Sequence, residues 1–258
     1  TVVPPAAALE GAGGATTNFD FTLTLDNTVE GGVTVSYFTN DGTAAAGSDY
    51  TDNDGTQAFN GSGVQNQVVT VVVTDDAVVE PNETFSVLLG GLANIDATAA
   101  DDINVQSAAA VATITDDDSI DVRFNLSSDS GAEASGQNLP SIQYSGTIQT
   151  GHSVDVNLTQ SGTATSVTDF TSAGTITIAG DDTLHANETV ATPSLSIADD
   201  NVVEDNETII LSVDGTPANV NPVSPSTHTY SINNDDGATL SISDITVTEG
   251  DSMMFTVT

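Results

Sequence analysis

With 258 residues, 37 acidic side chains and a single basic one, Arg123, the chain carries a formal charge of −36. That balance excludes nucleic acid and anionic membrane surfaces as partners, because both are held by clustered Lys and Arg. Without cysteine there is neither a disulfide framework nor a thiolate metal site, and no apolar run of about 18 residues is present to span a membrane.

Length alone allows one to three domains. The first residues carry no signal-like segment, so the chain reads as a processed or excised piece. Along the chain the apolar residues alternate. Phe19, Phe21, Leu23 and Leu25 are interleaved with Asp20, Thr22 and Thr24, and Val33, Val35 and Tyr37 with Thr34 and Ser36. Val69, Val71 and Val73 follow, then Phe85, Val87 and Leu89, then Val111 to Ile114. A two-residue period is that of half-buried strands. Turn chemistry separates them at Glu30-Gly31-Gly32, Asp41-Gly42, Asp54-Gly55 and Asn60-Gly61. No helical period is sustained, and about seven short strands in about 110 residues fit an antiparallel sandwich.

An acidic constellation interrupts this pattern twice. The first copy is Asp75-Asp76-Ala77-Val78-Val79-Glu80-Pro81-Asn82-Glu83-Thr84-Phe85, with Asp116-Asp117-Asp118 behind it. The second is Asp199-Asp200-Asn201-Val202-Val203-Glu204-Asp205-Asn206-Glu207-Thr208-Ile209, with Asn233-Asn234-Asp235-Asp236 behind it. Glu10 corresponds to Glu133 and Asp49-Tyr50 to Asp169-Phe170, all at offsets near about 120 residues. A third opening runs from Leu240 through Glu249-Gly250, with Glu249 at the place of Glu10 and Glu133. The expected units are therefore residues 1–118, 119–237, and 238–258 as the opening strands of a third repeat or a donated strand.

Recurrent carboxylates in β-patterned sequence point to a hard divalent cation, Ca2+ first, which takes six to eight oxygen ligands. Two carboxylates about 5 Å apart repel by roughly 3 kcal/mol at an effective dielectric near 20. Several such pairs would consume much of a domain's stability, so a cation binds or the loops splay. Metal is also a common substitute for missing disulfides.

Three segments of the first repeat carry a resemblance to a known family: Asn40 to Tyr50, Asp75 to Phe85, and Ala112 to Asp118. They are similar to the Calx-beta domain of sodium–calcium exchangers and large bacterial surface proteins. The second repeat resembles it through Val167 to Phe170, Asp199 to Thr208 and Asp235-Asp236, with a divergent middle and no counterpart expected for the Asp-Gly-Thr-Ala segment. The resemblance implies tandem seven-stranded, immunoglobulin-like β-sandwiches with Ca2+ in loops at one end. It implies as ligands Glu10, Asp49, Asp75, Asp76, Glu80, Glu83, Asp116, Asp117 and Asp118. In the second repeat it implies Glu133, Asp169, Asp199, Asp200, Glu204, Glu207, Asp235 and Asp236. Asn234 stands where the first repeat has Asp116, which predicts a weaker or smaller site. Metal beside the closing acidic runs would also stiffen the joint between repeats.

Other motifs carry less. Asp52-Asn53-Asp54-Gly55 lacks the remaining EF-hand ligands and reads as a solvated hairpin turn. His152, His185 and His228 lack zinc spacing and read as surface residues. The sequons at Asn82, Asn187 and Asn206 read as coincidence, since two overlap the ion loops. No nucleophile elbow or phosphate loop is present, so nothing argues for an enzyme. The leading functional expectation is a calcium-binding, extracellular structural or adhesive module of a bacterial surface or secreted protein, with few sites for trypsin-like proteases. Its partners would be neighbouring repeats, copies of itself, or a host, cell-surface or matrix ligand. The alternatives are a homopolymeric fibre assembled by donation of residues 239–258, and a calcium-sensing regulatory domain.

Overall fold

The computed structural model describes residues 1–11, 13–93, 103–105, 108–133, 140–190, 195–242 and 244–257. Ser243 and Thr258 of the third opening lie outside the described residues. Within them the secondary structure is all β, with no helix.

The first repeat contributes β1 (Val2–Val3), β2 (Ala8–Leu9), β3 (Thr17–Leu25), β4 (Val33–Asp41), β5 (Gly55–Phe59), β6 (Gln65–Val73), β7 (Val78–Val79), β8 (Glu83–Ala93) and β9 (Ala110–Thr115). One sheet orders β1-β3-β6 and the other β2-β9-β8-β4-β5. The alternation read from sequence is the burial pattern. Phe19, Phe21 and Leu23 of β3 and Val69, Val71 and Val73 of β6 point inward, while Asp20 is exposed. Phe85 on β8 closes the core from the facing sheet, its ring 4.5 Å from Tyr50, 5.7 Å from Phe21 and 5.8 Å from Phe19.

The second repeat contributes β10 (Ile120–Phe124), β11 (Ser128–Ala132), β12 (Ile142–Ile148), β13 (Ser153–Gly162), β14 (Phe170–Thr171), β15 (Thr175–Ala179), β16 (His185–Thr189), β17 (Ser196–Ile197), β18 (Glu207–Val213), β19 (Val220–Pro222) and β20 (Thr227–Asn233). Its sheets order β16-β12-β10-β19 and β11-β20-β18-β13-β15, with β14 paired to β17. A separate apolar core lies between them, built on Ile120, Val122, Phe124, Val154, Val156, Ile209 and Leu211. The divergent middle shows at β16. It pairs β12 irregularly, where β6 pairs β3 along nine residues. Most ladders are antiparallel, but β2–β9, β11–β20, β10–β19 and β7–β12 run parallel.

Two expectations are corrected. The Asp-Gly-Thr-Ala segment does have a counterpart, Ser161-Gly162-Thr163-Ala164. Ala44 N–H donates to the Thr84 carbonyl and Ala164 N–H to that of Thr208, both at 3.0 Å. Thr84 and Thr208 N–H return bonds to Thr43 and Thr163 Oγ1 at 2.8 and 2.9 Å. A Cβ on Gly162, whose φ is 121°, would stand 2.1 Å from the Thr208 carbonyl, so only glycine fits. The change at the segment's head is matched elsewhere. Tyr50 Oη donates to Asp41 Oδ1 at 2.6 Å, and in the second repeat both partners are gone together, as Phe170 and Ser161. Losing both ends of a hydrogen bond leaves no orphan. His228, read as a surface residue, is 0% exposed. Its ring lies 5.8 Å from that of Phe124, and Nδ1 is 2.8 Å from the Leu126 carbonyl oxygen. Composition could not reveal that placement.

The joint between the sandwiches comes from β7. It leaves its own sandwich and pairs with β12 of the next, Val78 beside Thr147 and Val79 beside Ile148. Val79 is 0% exposed and belongs to the second core. Gln149 clamps the pairing, its N–H donating to the Val79 carbonyl at 3.0 Å and its Nε2 to Glu80 Oε1 at 2.8 Å.

Candidate metal centres

Strand register brings the first carboxylates together. Because β2 lies parallel to β9 with Leu9 beside Thr115, the next residues in both chains, Glu10 and Asp116, emerge side by side. Glu10 N–H continues the ladder to the Thr115 carbonyl at 3.2 Å. Glu10, Asp116 and Asp118 each place a carboxylate oxygen within 4.8 Å of the others. Gly11 makes the approach possible, since a Cβ there would meet Asp75 Cβ at 2.7 Å and the Ala15 carbonyl at 2.3 Å. Glu80 N–H donates to Asp116 Oδ1 at 3.2 Å, and Asn82 Oδ1 accepts from Asp116 N–H at 3.4 Å, fixing the closing run against the acidic loop.

Asp49, Glu80 and Glu83 form a second group with the same 4.8 Å spacing. Asp49 sits in a tight turn, its Oδ2 accepting from Ala45 N–H at 2.6 Å and its carbonyl accepting from Thr74 N–H at 2.9 Å. That second bond ties the turn to the end of β6, immediately before Asp75. Glu83 opens β8 and is buried.

Asp75, Asp76 and Asp117 lie outside these two groups. Asp75 is buried and accepts from Gly14 N–H. Asp76 is exposed, accepts from Val78 N–H at 2.7 Å, and is close enough for its charge to act on Glu10, Glu80 and Glu83. Asp117 is exposed.

The second sandwich repeats the plan with changes. Ala132 of β11 pairs with Asn233 of β20, which sets Glu133 beside Asn234. The groups are Glu133, Asp200 and Asp236, and Asp169, Glu204 and Glu207. Glu133, Asp169, Asp200, Glu204 and Glu207 all line one small cleft. Asn234 keeps the structural work of Asp116. Its Oδ1 accepts from Glu204 N–H at 3.1 Å and its own N–H donates to Asn206 Oδ1 at 3.2 Å. Its Nδ2 donates to the Asp236 carbonyl at 3.1 Å. Asp199 and Asp235 are exposed and lie outside the groups.

Burial and mutual repulsion hold protons on these groups. Burial first, then the charges of Asp116, Asp118 and Asp76, push Glu10 up to about 8. Burial with Glu83 and Asp76 nearby raises Glu80 to about 7, and burial with Asp49 nearby does the same for Glu83. Asp116 and Asp118 rise to about 6, mainly by burial. In the second sandwich Glu207 rises to about 7, and Glu133 and Asp236 rise for the same two reasons. No protein cation answers them, because Arg123 donates to Asn187 instead. Asp118 and Asp236 each present a buried Oδ2 without a hydrogen-bond partner. An all-oxygen donor set with orphaned buried oxygens fits a hard cation such as Ca2+. The larger cavity, about 520 Å³ among Leu25, Val29, Val33, Phe59, Leu89 and Leu92, lies at the far end of β3 from these groups.

The comparisons with known proteins follow this geometry. The profile of the Calx-beta domain matches residues 12–118 and again 116–236. The chain belongs to the Calx-beta domain family. Among solved structures it is similar to CBD12 from CALX1.2, 17% identical with a TM-score of 0.36, over 90% of this chain and 99% of that one. The calcium binding domain CBD12 of CALX1.1 is 19% identical with a TM-score of 0.38, over 82% and 80%. The apo form of the Calx CBD1 domain is 25% identical with a TM-score of 0.35, over 45% and 96%. No curated protein matches the chain.

Sequence reading missed contacts that organise the Calx-beta sites and the joint. Asn82 and Asn206 orient the closing runs, so both sequon side chains already serve as acceptors. Asp52 and Asp54 accept from the Thr39 hydroxyl and N–H, the latter at 3.0 Å, so the suspected turn is tied to β4. Val78–Val79 and Gln149 build the joint. The recurrence of Val-Val inside both acidic constellations was the available signal.

Proposed function

We propose that this chain is a calcium-stiffened structural module of a bacterial cell-surface or secreted protein, in which Ca2+ sets the angle between successive sandwiches and the chain acts as spacer or adhesive stalk. One observation carries the reading. Glu80 belongs to the carboxylate group with Asp49 and Glu83 and at the same time accepts from Gln149 across the joint. Glu10, Asp116 and Asp118, and Asp49, Glu80 and Glu83, would hold the ions of the first sandwich. Their counterparts would hold those of the second, with Asn234 offering a neutral oxygen. The acidic surface and scarcity of Lys and Arg support an extracellular setting, and family membership supports a binding module rather than a catalyst.

The test is thermal unfolding in EGTA, in millimolar CaCl2 and in millimolar MgCl2. Ions at about 100 times their dissociation constant add roughly 2.7 kcal/mol per site, so a rise of about 10 °C or more is expected in calcium. An equal melting point in all three solutions would rule the reading out.

A second reading, a fibre built by donation of residues 239–258, draws support from one feature. Leu240, Ile242, Met253, Met254, Phe255 and Val257 are exposed, joined only by an Ile242–Val257 bridge among the described residues. Deleting residues 239–258 should then abolish polymers, and unaltered assembly by the truncated chain would dismiss it.

A further inference from the structure

The two Val-Val pairs carry the same hydrogen-bond anchors in two different settings. Val78 N–H donates to Asp76 Oδ1 and Val202 N–H to Asp200 Oδ1, both at 2.7 Å. The next anchor is also shared, Glu80 N–H to Asp116 at 3.2 Å and Glu204 N–H to Asn234 at 3.1 Å. Yet Val79 is 0% exposed under the second sandwich, while Val202 and Val203 are each 53% exposed. Val202-Val203 is in no strand, but a β-branched pair fixed by the same side-chain cap, with no strand beside it among the described residues, is a segment able to pair as Val78-Val79 does.

The other half of such a joint is uncovered too. Ile120 and Val122, which open the second sandwich just after Asp118, are 0% exposed. Leu240 and Ile242, the first alternating apolar pair after Asp236 and two residues further along than Ile120 and Val122 are after Asp118, are 81% and 63% exposed. Solitary exposed residues need no explanation, but both halves of a repeated joint left open together do.

We infer that Val202–Val203 is the docking strand for a third Calx-beta sandwich, the one whose opening is residues 238–257, and that it would pair parallel to that sandwich's counterpart of β12. The first joint supplies the template: two paired residues, the second valine in the next core, and a side-chain amide after the pair reaching back to the acidic loop. By that template Glu204, like Glu80, would lose solvent and gain an amide donor when the third sandwich docks. The chain is then a stack with one joint geometry used repeatedly, each sandwich roofing the acidic loops of the one before. The inference rests on the reading of the chain as a rigid tandem and adds the partner.

The experiment uses the full chain and a three-sandwich chain in which a second copy of residues 119–237 replaces residues 238–258. That copy is the one sandwich whose docked form is known. Hydrogen exchange in calcium should slow at least tenfold over residues 202–205 in the three-sandwich chain relative to the natural one. Val203→Asp should abolish that protection and free the third sandwich to tumble separately, read from its residual dipolar couplings. Val203→Ser, which adds no carboxylate beside Glu204, should also weaken that protection and in the natural chain leave calcium titration unchanged, so failure of the ion reading and failure of the docking reading are separable.

Unchanged exchange over 202–205, or a third sandwich whose alignment ignores V203D, overturns the inference. So does a third sandwich that stays unprotected at its copies of Ile120 to Phe124, since the joint would then not accept a following domain. Concentration-dependent dimers of the natural chain that V203D abolishes would assign the edge to a second copy instead.

Discussion

The acidic ends of the two sandwiches are built from nearly the same residues and sit in different surroundings. In the first, Val79 is buried under the next domain and Glu80 is partly buried and tied to Gln149. In the second, Val203 and Glu204 are exposed. Asp75 is buried and its counterpart Asp199 is not. The difference teaches that the character of a site is only partly local. Loop sequence sets which carboxylates converge, and the following sandwich sets how far they are withdrawn from water. A carboxylate withdrawn from water gains more from a cation, because the same charges interact through a lower effective dielectric.

The widest gap between the two ends should appear on placing a charge in each valine pair. Val79→Asp buries a carboxylate in the second core with no partner, at a cost of roughly 3 kcal/mol or more. Val203→Asp adds a charge to an already exposed segment and should change stability by no more than about 0.5 kcal/mol. Chemical denaturation followed separately in each sandwich checks both. Equal small effects would mean that the joint at Val79 is not a stable contact in solution.

A smaller contrast lies in the response to pH without calcium. Glu10, Glu80, Glu83, Asp116 and Asp118 keep protons in the folded state up to about 6 to 8, whereas the unfolded chain loses them near ordinary carboxylate values. Between those limits the folded state binds more protons, so stability is greatest at the acid end and falls as pH rises through the folded values. In EGTA the first sandwich should melt higher at pH 5.5 than at pH 8. Calcium requires ionised ligands and should therefore stabilise most at pH 8, with proton release on binding. The second sandwich, with Glu133, Glu207 and Asp236 raised, should move in the same direction by less. A melting point in EGTA that climbs from pH 5.5 to 8 would contradict the burial of these groups.

Much of this was legible in the sequence, for identifiable reasons. Alternation at Phe19, Phe21 and Leu23 and at Val69, Val71 and Val73 reads out directly as burial, because a strand has only two faces. Glu10 and Asp116 could be tied to one site only through the repeat and the family resemblance, since the parallel pairing of β2 and β9 that joins them spans the whole first repeat. His228 stayed hidden because a single buried imidazole has no sequence pattern of its own. Ser161-Gly162-Thr163-Ala164 was overlooked because its first residue differs, and the reason for that difference, the lost hydroxyl at Phe170, is a contact across the loop. The joint was invisible as a contact because it takes a strand from one repeat and a strand and glutamine from the next. Within a single repeat Val78–Val79 is just another apolar pair.

The finest contrast is at Asp116 and Asn234, where geometry is preserved and charge is not. Each accepts from the glutamate N–H of its own loop, at 3.2 and 3.1 Å, and each is held by an asparagine side chain. Asn234→Asp should therefore enter the second site without rebuilding it, adding a charged ligand beside Glu133. It would also lose the amide bond to the Asp236 carbonyl, which offsets part of the gain. The net expectation is calcium binding to the second sandwich tighter by roughly three- to tenfold, or about 0.7–1.4 kcal/mol, and a lower melting point in EGTA from the added repulsion. Asp116→Asn should weaken the first sandwich's binding by a similar factor. Calorimetric titration of both variants decides the matter. If Asn234→Asp leaves affinity unchanged while Asp116→Asn lowers it, the second sandwich coordinates its ion without position 234, through Glu133, Asp200 and Asp236 alone, and the two ends differ in coordination as well as in burial.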